Sequence, residues 1–337
     1  MVHARRSDPA DGQLVEVTAV VVTWRAAHLL AECLDSLLAQ TYPCRVLVVD
    51  NASSDGTDRV LDRYRTRIEV LRLPANAGFA GGVSAAIPHV GTPLFALLND
   101  DAVADPHWVE RCVQQLTGED NVAAVTAQIR LWDEESTSPE RLNNAGVRLT
   151  SGGYGADRGF GCPIGRPFDE PADVFGFSGG AALLRIQTVR EVGGVAARYF
   201  LYYEDTDLSW RLRLAGWRIR YEPTAVVWHR HAASSDVRSA LFARCNERNR
   251  LLTLLRCAPA PFVITQLIRF CVTTGSLAVK RRLGRVPDDV PTFDWWLRIR
   301  VLAETLRAAP WALRERRAIG RRSSLRRADV MREWLGR

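Results

Sequence analysis

Between Leu14 and Trp24 the chain reads LVEVTAVVVTW, an apolar, β-branched run bounded by polar residues. Such a run predicts a strand buried on both faces. The spacing then changes. In AHLLAECLDSLLAQTY the leucines Leu30, Leu34, Leu37 and Leu38 fall at helical intervals. CRVLVVD, Cys44 to Asp50, returns to a strand. SSDGTDRVLDRYRTR offers Ser and Asp as caps before a second helix, and IEVLRLP gives a third strand. Strand, helix and strand at these lengths predict right-handed βαβ units around a parallel sheet.

The alternation continues with strands at Pro93 to Leu98 and at VAAVTAQIRL. Residues 133–175 are rich in Gly, Pro and Ser and read as loop. VFGFSGGAALLRIQTVREVGG predicts a strand, then a helix ending at Gly193-Gly194. WRIRYEPTAVVWHRH predicts two short strands around a Glu-Pro turn, and from about Asp236 the pattern is helical and rich in Arg. The expected division is a disordered lead over 1–13, an α/β domain over 14–236 and a helical, basic extension over 237–337. The lead has no apolar core of a secretory signal.

Composition narrows the picture. The 337 residues are 47% hydrophobic and 25% charged, which fits a soluble globular chain. The net charge is +7, yet residues 280–337 hold 16 basic and 7 acidic side chains. The basicity therefore belongs to the extension, and the remainder is slightly acidic. The seven cysteines include no Cys-x-x-Cys pair. An odd, scattered set argues against a zinc ribbon or a disulfide framework and suits a reducing cytoplasm.

In a parallel sheet, ligands sit outside the carboxyl ends of the strands. That rule points to Thr23, Asp50, Asn51 and the residues after Pro74. In VVDNASSDGT, Asp50 ends a strand and the next helix presents free N–H groups to an anion, or the loop merely caps that helix. In NAGFAGGVSAA, Gly78, Gly81 and Gly82 would let backbone approach a ligand, or they form a flexible loop. They do not make the dinucleotide fingerprint. LLNDDA sets Asp100 beside Asp101, two carboxylates that repel unless a cation intervenes, and oxygen ligands of this kind suit Mg²⁺ or Mn²⁺. The plain alternative is an acidic turn before a helix. YYEDTDLSWRL places Glu204, Asp205 and Asp207 beside Tyr202, Tyr203 and Trp210. Low polarity there would raise a carboxylate toward the range of a general base, although acids also favour a helix N-terminus. In VVWHRH, His229 is the preferred further metal ligand, and His231 shares its strand face.

Taken in order, VVVTWR, VVDNASSDGT, NAGFAGG, LLNDDA, SGGAALLR, YYEDTDLSWRLRLAGW and VVWH resemble the family-2 glycosyltransferases. The resemblance covers about residues 14–235 and is nearest to the bacterial rhamnosyltransferase-like and galactofuranosyltransferase-like group. It implies a GT-A fold and an inverting transfer from a nucleotide-diphosphate sugar. By position, Thr23, Asp50 and Asn51 would hold base and ribose, and Asn76, Gly78 and Phe79 would line the donor. Asp101 would bind the cation and Asp100 the ribose or the cation's waters. Asp205 stands at the catalytic base, with Glu204 beside it. Asp207, Trp210 and Arg211 would shape the site, and His229 would contact metal or diphosphate. Asn99 departs from the Asp common in relatives, Ser84-Ala85-Ala86 departs from the usual continuation after GFAGG, and GGVAARYFLYY lacks the Phe-Asp pair common before the acidic motif.

The implied reaction moves a sugar, first of all L-rhamnose from dTDP-rhamnose, then galactofuranose or another hexose from a UDP donor. The acceptor would be a cell-envelope glycan or its polyprenyl-linked precursor. A non-catalytic nucleotide-sugar binder is the rival of a different class. A nucleotidyltransferase would need a glycine-rich basic loop after the first strand, and TWRAAH has none. No nucleic-acid motif accompanies the basic extension. Its run from Pro261 to Val279 is apolar but holds Gln266 and Arg269, which fits a helix lying on an anionic leaflet better than one crossing it. Packing on the domain or a homodimer contact is the alternative. The expected location is cytoplasmic, peripheral on the inner face of the cell membrane.

Overall fold

A computed structural model describes residues 16–132, 140–230, 239–284 and 291–336. The apolar runs form the expected strands. β1 (Val17–Thr23), β2 (Cys44–Asp50) and β3 (Glu69–Arg72) alternate with α1 (Ala27–Leu38) and α2 (Thr57–Tyr64). α3 (Gly78–Ala86) leads to β4 (Leu94–Leu98), β5 (Ala102–Ala104), α4 (Trp108–Thr117) and β6 (Val122–Leu131). Short strands follow: β7 (Leu142–Asn144), β8 (Val147–Leu149), β9 (Gly155–Asp157) and β10 (Ala172–Asp173). β11 (Ala181–Arg185), α5 (Ile186–Glu191), α6 (Glu204–Leu214) and β12 (Arg218–His229) complete the α/β part. The remainder is helical: α7 (Ala240–Cys257), α8 (Ala260–Arg282), α9 (Trp295–Arg322) and α10 (Arg327–Trp334).

The main sheet runs β10-β12-β6-β11-β4-β1-β2-β3, with β5 on β12 and β7 on β6. β3, β2, β1 and β4 are parallel, β12 is parallel to β6, and β11 runs antiparallel between β4 and β6. β1 is buried along its whole length because both faces are covered. Val17, Ala19 and Val21 face the core with Leu30, Leu34 and Trp108, while Val20 and Val22 face Ala80 and Val83. A strand of that kind has to be apolar at every position rather than at alternate ones.

Four expectations change. The segment read as loop over 133–175 contains β7 to β10, strands of two or three residues that are too short to show a period. β12 is one strand of 12 residues rather than two. Its register slips between Glu222 and Val226, where Glu222 Oε1 accepts from the Thr224 N–H and hydroxyl. The residue flanking α2 is Gly56, and Asp55 instead accepts from Thr57 and, at 3.0 Å, from the Ala27 N–H that opens α1. The glycines of NAGFAGG lie in a helix. A side chain at Gly82 would strike Val22 at 2.5 Å, and one at Gly78, which has φ +71, would strike the Phe200 carbonyl. Gly82 serves helix-on-sheet packing, and only Gly78 borders a cavity.

The helical region is joined to the α/β part by packing. Leu251, Phe270 and Val301 link α7, α8 and α9. Ala308 and Ala312 of α9 enter the main core, and Ile319 and Val330 pack with Trp210.

Candidate active site

The carboxyl ends of β1, β2 and β4 open onto a cavity of about 410 Å³ bordered by Trp24, Asn51, Asn76, Gly78, Asp100 and Glu204, among others. A second cavity of about 310 Å³ lies against Asp101, Asn143, Asp157, Tyr203 and His229. Asn99, Gly180, Tyr202, Asp205 and Phe242 border both. Asp205 thus stands on the wall between the two spaces.

The loop before α6 sets that position. Phe200, Tyr202 and Tyr203 all have φ near +70, which costs a non-glycine residue about 1–3 kcal/mol each. The surroundings hold them there. The buried Asn249 Nδ2 donates to the carbonyls of Tyr199, Leu201 and Tyr202 at 3.0, 2.8 and 2.8 Å. Arg248 adds a bond to the Tyr199 carbonyl, and the Ala80 N–H donates to the Phe200 carbonyl at 3.1 Å. The bend ends in α6, whose first residues are Glu204 and Asp205.

Asp205 Oδ2 accepts the Gly179 N–H at 3.0 Å, and Oδ1 accepts from the Thr206 N–H and hydroxyl. No cation faces it in those contacts. Burial raises its pKa, the two backbone bonds oppose the shift, and Asp157 adds to it. Glu204 is pushed up from 4.5 to about 8, first by burial and then by Asp205. Its Oε2 has no hydrogen-bond partner among the described residues. A carboxyl left in this state holds its proton near neutrality.

On the β4 side, burial and then Asp101 push Asp100 up from 3.8 to about 7, with the Thr23 hydroxyl and the Trp24 N–H opposing. His229 Nε2 stands 2.9 Å from Asp101 Oδ1, and its Nδ1 stands 2.8 Å from Asn143 Oδ1. The amide oxygen of Asn143 requires a proton on Nδ1, so in the neutral ring Nε2 presents its lone pair. Two acceptors at 2.9 Å ask for a shared cation, either a proton or a metal ion. A carboxylate suits Mn²⁺ or Mg²⁺ when substrate oxygens complete the shell, and the added imidazole favours Mn²⁺ over Mg²⁺, so the donor set fits a divalent ion. Among the described residues no group of three His, Cys, Asp or Glu gathers for one. Asn99 Nδ2 lies 3.3 Å from the same Nε2 and so occupies the approach to this pair.

Some sequence candidates lie elsewhere. Asp50 borders neither cavity: its carboxylate accepts from the Ser53 N–H and from Arg72 at 2.9 Å. Asn51 braces the Asn76–Gly78 turn, accepting from the Ala77 N–H and donating to the Gly78 carbonyl. Phe79 borders the larger cavity. Thr23 is fully buried and borders neither cavity. Asp207 and Arg211 face the interior, paired at 2.8 Å, with Arg256 and the Tyr199 hydroxyl on the other carboxylate oxygen. Trp210 packs edge-on against Phe175 at 5.5 Å. The structure therefore does not bring Asp207, Trp210 or Arg211 to either cavity. His231 lies outside the described residues. Conversely, Asn143, Asp157, Phe242 and Asn246 border the site without having been singled out. Asn143 and Asp157 come from the irregular segment before β10, and only the Asn-Asn-Ala-Gly turn signal marked the first.

Known proteins resemble this chain in sequence and in fold. A mycobacterial protein, the N-acetylglucosaminyl-diphospho-decaprenol L-rhamnosyltransferase of Mycobacterium tuberculosis, is 28% identical over 234 residues, covering 64% of this chain and 76% of its own. The poly-beta-1,6-N-acetyl-D-glucosamine synthase of Staphylococcus aureus is 22% identical over 222 residues, 64% of this chain and 50% of its own. Among solved structures, a mannosyltransferase from Pyrobaculum calidifontis in complex with GDP-Man and Mn²⁺ superposes with a TM-score of 0.50 at 18% identity, covering 94% of this chain and 79% of its own. S. aureus TarS in complex with UDP-GlcNAc superposes with 0.53 at 14% identity, covering 96% and 93%. These likenesses establish the GT-A fold. The sequence model described as glycosyl transferase family 2 matches residues 18–193, more than half of the 337, and the chain therefore belongs to that family and is a glycosyltransferase.

Proposed function

We propose that the chain is a metal-dependent, inverting transferase that moves L-rhamnose from dTDP-rhamnose to a hydroxyl of a cell-envelope glycan or its polyprenyl-linked precursor. The observation that carries the reading is the position of Asp205. It is a half-buried carboxylate of raised pKa, hydrogen-bonded to N–H groups and a hydroxyl, on the wall between a space bordered by the donor-motif residues and a second space open to an acceptor. The choice of sugar and acceptor follows the mycobacterial rhamnosyltransferase named above.

In this reading Asp205 takes the proton of the acceptor hydroxyl as the oxygen attacks the anomeric carbon, and the nucleoside diphosphate leaves from the opposite side. One base and one displacement invert the anomeric centre. Glu204, protonated near neutrality, donates a hydrogen bond to the sugar in the larger space. Asn51 and Asn76 fix the backbone turn that the donor meets. Asp101 and His229, oriented by Asn143, would hold a divalent cation, which when bound neutralises charge on the leaving diphosphate. The free thiols of the seven cysteines accord with a location on the cytoplasmic side of the membrane.

Melting of the purified protein with dTDP-rhamnose, UDP-galactofuranose and other UDP-hexoses, each with Mn²⁺ or chelator, tests the donor, followed by transfer assays with a lipid-diphosphate N-acetylglucosamine acceptor. Selective, metal-dependent stabilisation by dTDP-rhamnose is expected. Transfer from a UDP-hexose alone would replace the sugar, and donor binding without any turnover would favour a non-catalytic binder. Asp101→Ala should abolish the metal dependence of donor binding.

A further inference from the structure

We propose that α8 and the adjoining half of α9 form a face that lies flat on an anionic phospholipid bilayer. The outer face of these helices is more apolar, and the inner face more polar, than in a water-facing pair. On α8, Gln266 and Thr274 are buried at 5% and 6% exposure, while Ile264, Ile268, Val272 and Val279 are 57–65% exposed. On α9, Arg298 is buried, donating to the hydroxyls of Thr274 at 3.0 Å and Thr273 at 2.8 Å and stacking over Phe270 at 4.0 Å. Trp296 and Leu306 of the same helix are 63% and 71% exposed. Folding in water would place the isoleucines inside and the arginine out. This arrangement gains free energy from an apolar medium over α8.

Charge identifies that medium. α8 contains no Asp or Glu, and it ends in Lys280, Arg281 and Arg282, with Arg269 exposed midway. Arg300 and Arg307 are exposed beside Ile299 and Leu306 on α9. Apolar side chains flanked by cations match the acyl boundary and phosphates of an anionic leaflet. A second copy fits less well, because a two-fold contact through this face sets arginine against arginine without an acid from α8 to pair them.

α8 is long and apolar enough to cross a membrane, with a mean hydropathy of 1.5 over its best window. It lies alongside instead, because its polar face is bonded to α9 and Phe270 packs with Leu251 of α7. Leu241 and Phe242, in the first turn of α7, border the larger cavity, so the lipid-facing helices are fixed to the cavity wall. A surface of this kind brings the site to a lipid-borne acceptor. The inference stands apart from the transfer chemistry, since vesicle binding needs neither donor nor turnover.

The test is co-sedimentation of the full chain with phosphatidylcholine vesicles, with and without phosphatidylglycerol. Binding to the anionic vesicles is expected, about tenfold or more above the neutral ones. The pair Ile268→Glu and Val272→Glu should lower it about tenfold or more with unchanged melting. Should that variant fold poorly, Lys280→Gln with Arg282→Gln must still weaken the anionic binding. Absence of wild-type binding, or binding untouched by both variants, overturns the proposal. Retention in vesicles after an alkaline carbonate wash would mean a spanning helix and would overturn the flat orientation. A wild-type dimer in sedimentation velocity, dissociated by the apolar-face substitutions and indifferent to vesicles, would assign the face to a second copy instead.

Discussion

Asp205 and Asp207 are two residues apart on one helix and opposite in electrostatic state: Asp207 is fully buried, and Asp205 is half-buried on the wall of the two cavities. Asp207 is lowered from the ordinary carboxylate value, because Arg211 and Arg256 outweigh the effect of burial. Asp205 is raised, because burial meets only N–H groups and a hydroxyl. A helix turns about 200° in two residues, so the pair cannot share a face. One acid has been given its cations and holds the fold. The other has been left without them and keeps an appetite for a proton.

Breaking each side of that pair should give different signatures. Asp205→Asn should lower turnover by roughly 10²–10⁴ while melting and donor binding stay near wild type. Parallel loss of donor affinity would remove the base assignment. Asp207→Ala removes the carboxylate shared by two buried guanidinium groups and should cost about 3–5 kcal/mol of stability, read as a lower denaturation midpoint. Any surviving folded fraction should turn over normally, and a catalytic defect at full folding would place Asp207 in the chemistry after all. Asn249→Ala removes the shared donor beneath the loop and should cost about 1–3 kcal/mol. Because the loop delivers Asp205, kcat should fall while the donor KM changes little, and loss of stability alone would make Asn249 merely structural.

Glu204 gives the smallest and most specific effect. Between its ordinary 4.5 and about 8, the folded chain holds a proton that the unfolded chain has released. Stability from this group is therefore full below that window and is lost as pH rises through it. Glu204→Gln should flatten the fall of melting temperature across the window. Asp100, raised to about 7, contributes a slope of the same sign that remains in the variant. An unchanged profile in Glu204→Gln would show that its carboxyl ionises normally.

The parts of the fold legible in the sequence are those where burial is two-sided and long. β1, β2 and β4 are continuous apolar runs, and their carboxyl ends led directly to Thr23, Asp50 and Asp100. The pairing of Asp101 with His229 was approachable because each ends such a run. Asn143 and Asp157 were not, since strands of three residues carry no period and their pairing is decided by contacts far along the chain. Trp210 misled through its nearness to Tyr202 and Tyr203: sequence adjacency suggested one aromatic wall, and helix geometry sends the indole to Phe175. Asn249 had no local signal, because its partners lie some fifty residues earlier.

The bracing of the Tyr199–Tyr202 carbonyls from α7 has a practical consequence for dissection of the protein. The residues that match the family model stop at 193, before Asp205 and before the side chain that holds its loop. A fragment ending after β12 would retain the entire main sheet and still release three left-handed residues from their clamp. The loop that carries Asp205 and the C-terminal helices are consequently one mechanical unit: trimming those helices would unclamp the loop, so changes to the outer side chains of α8 are the ones to make while α7 is left whole.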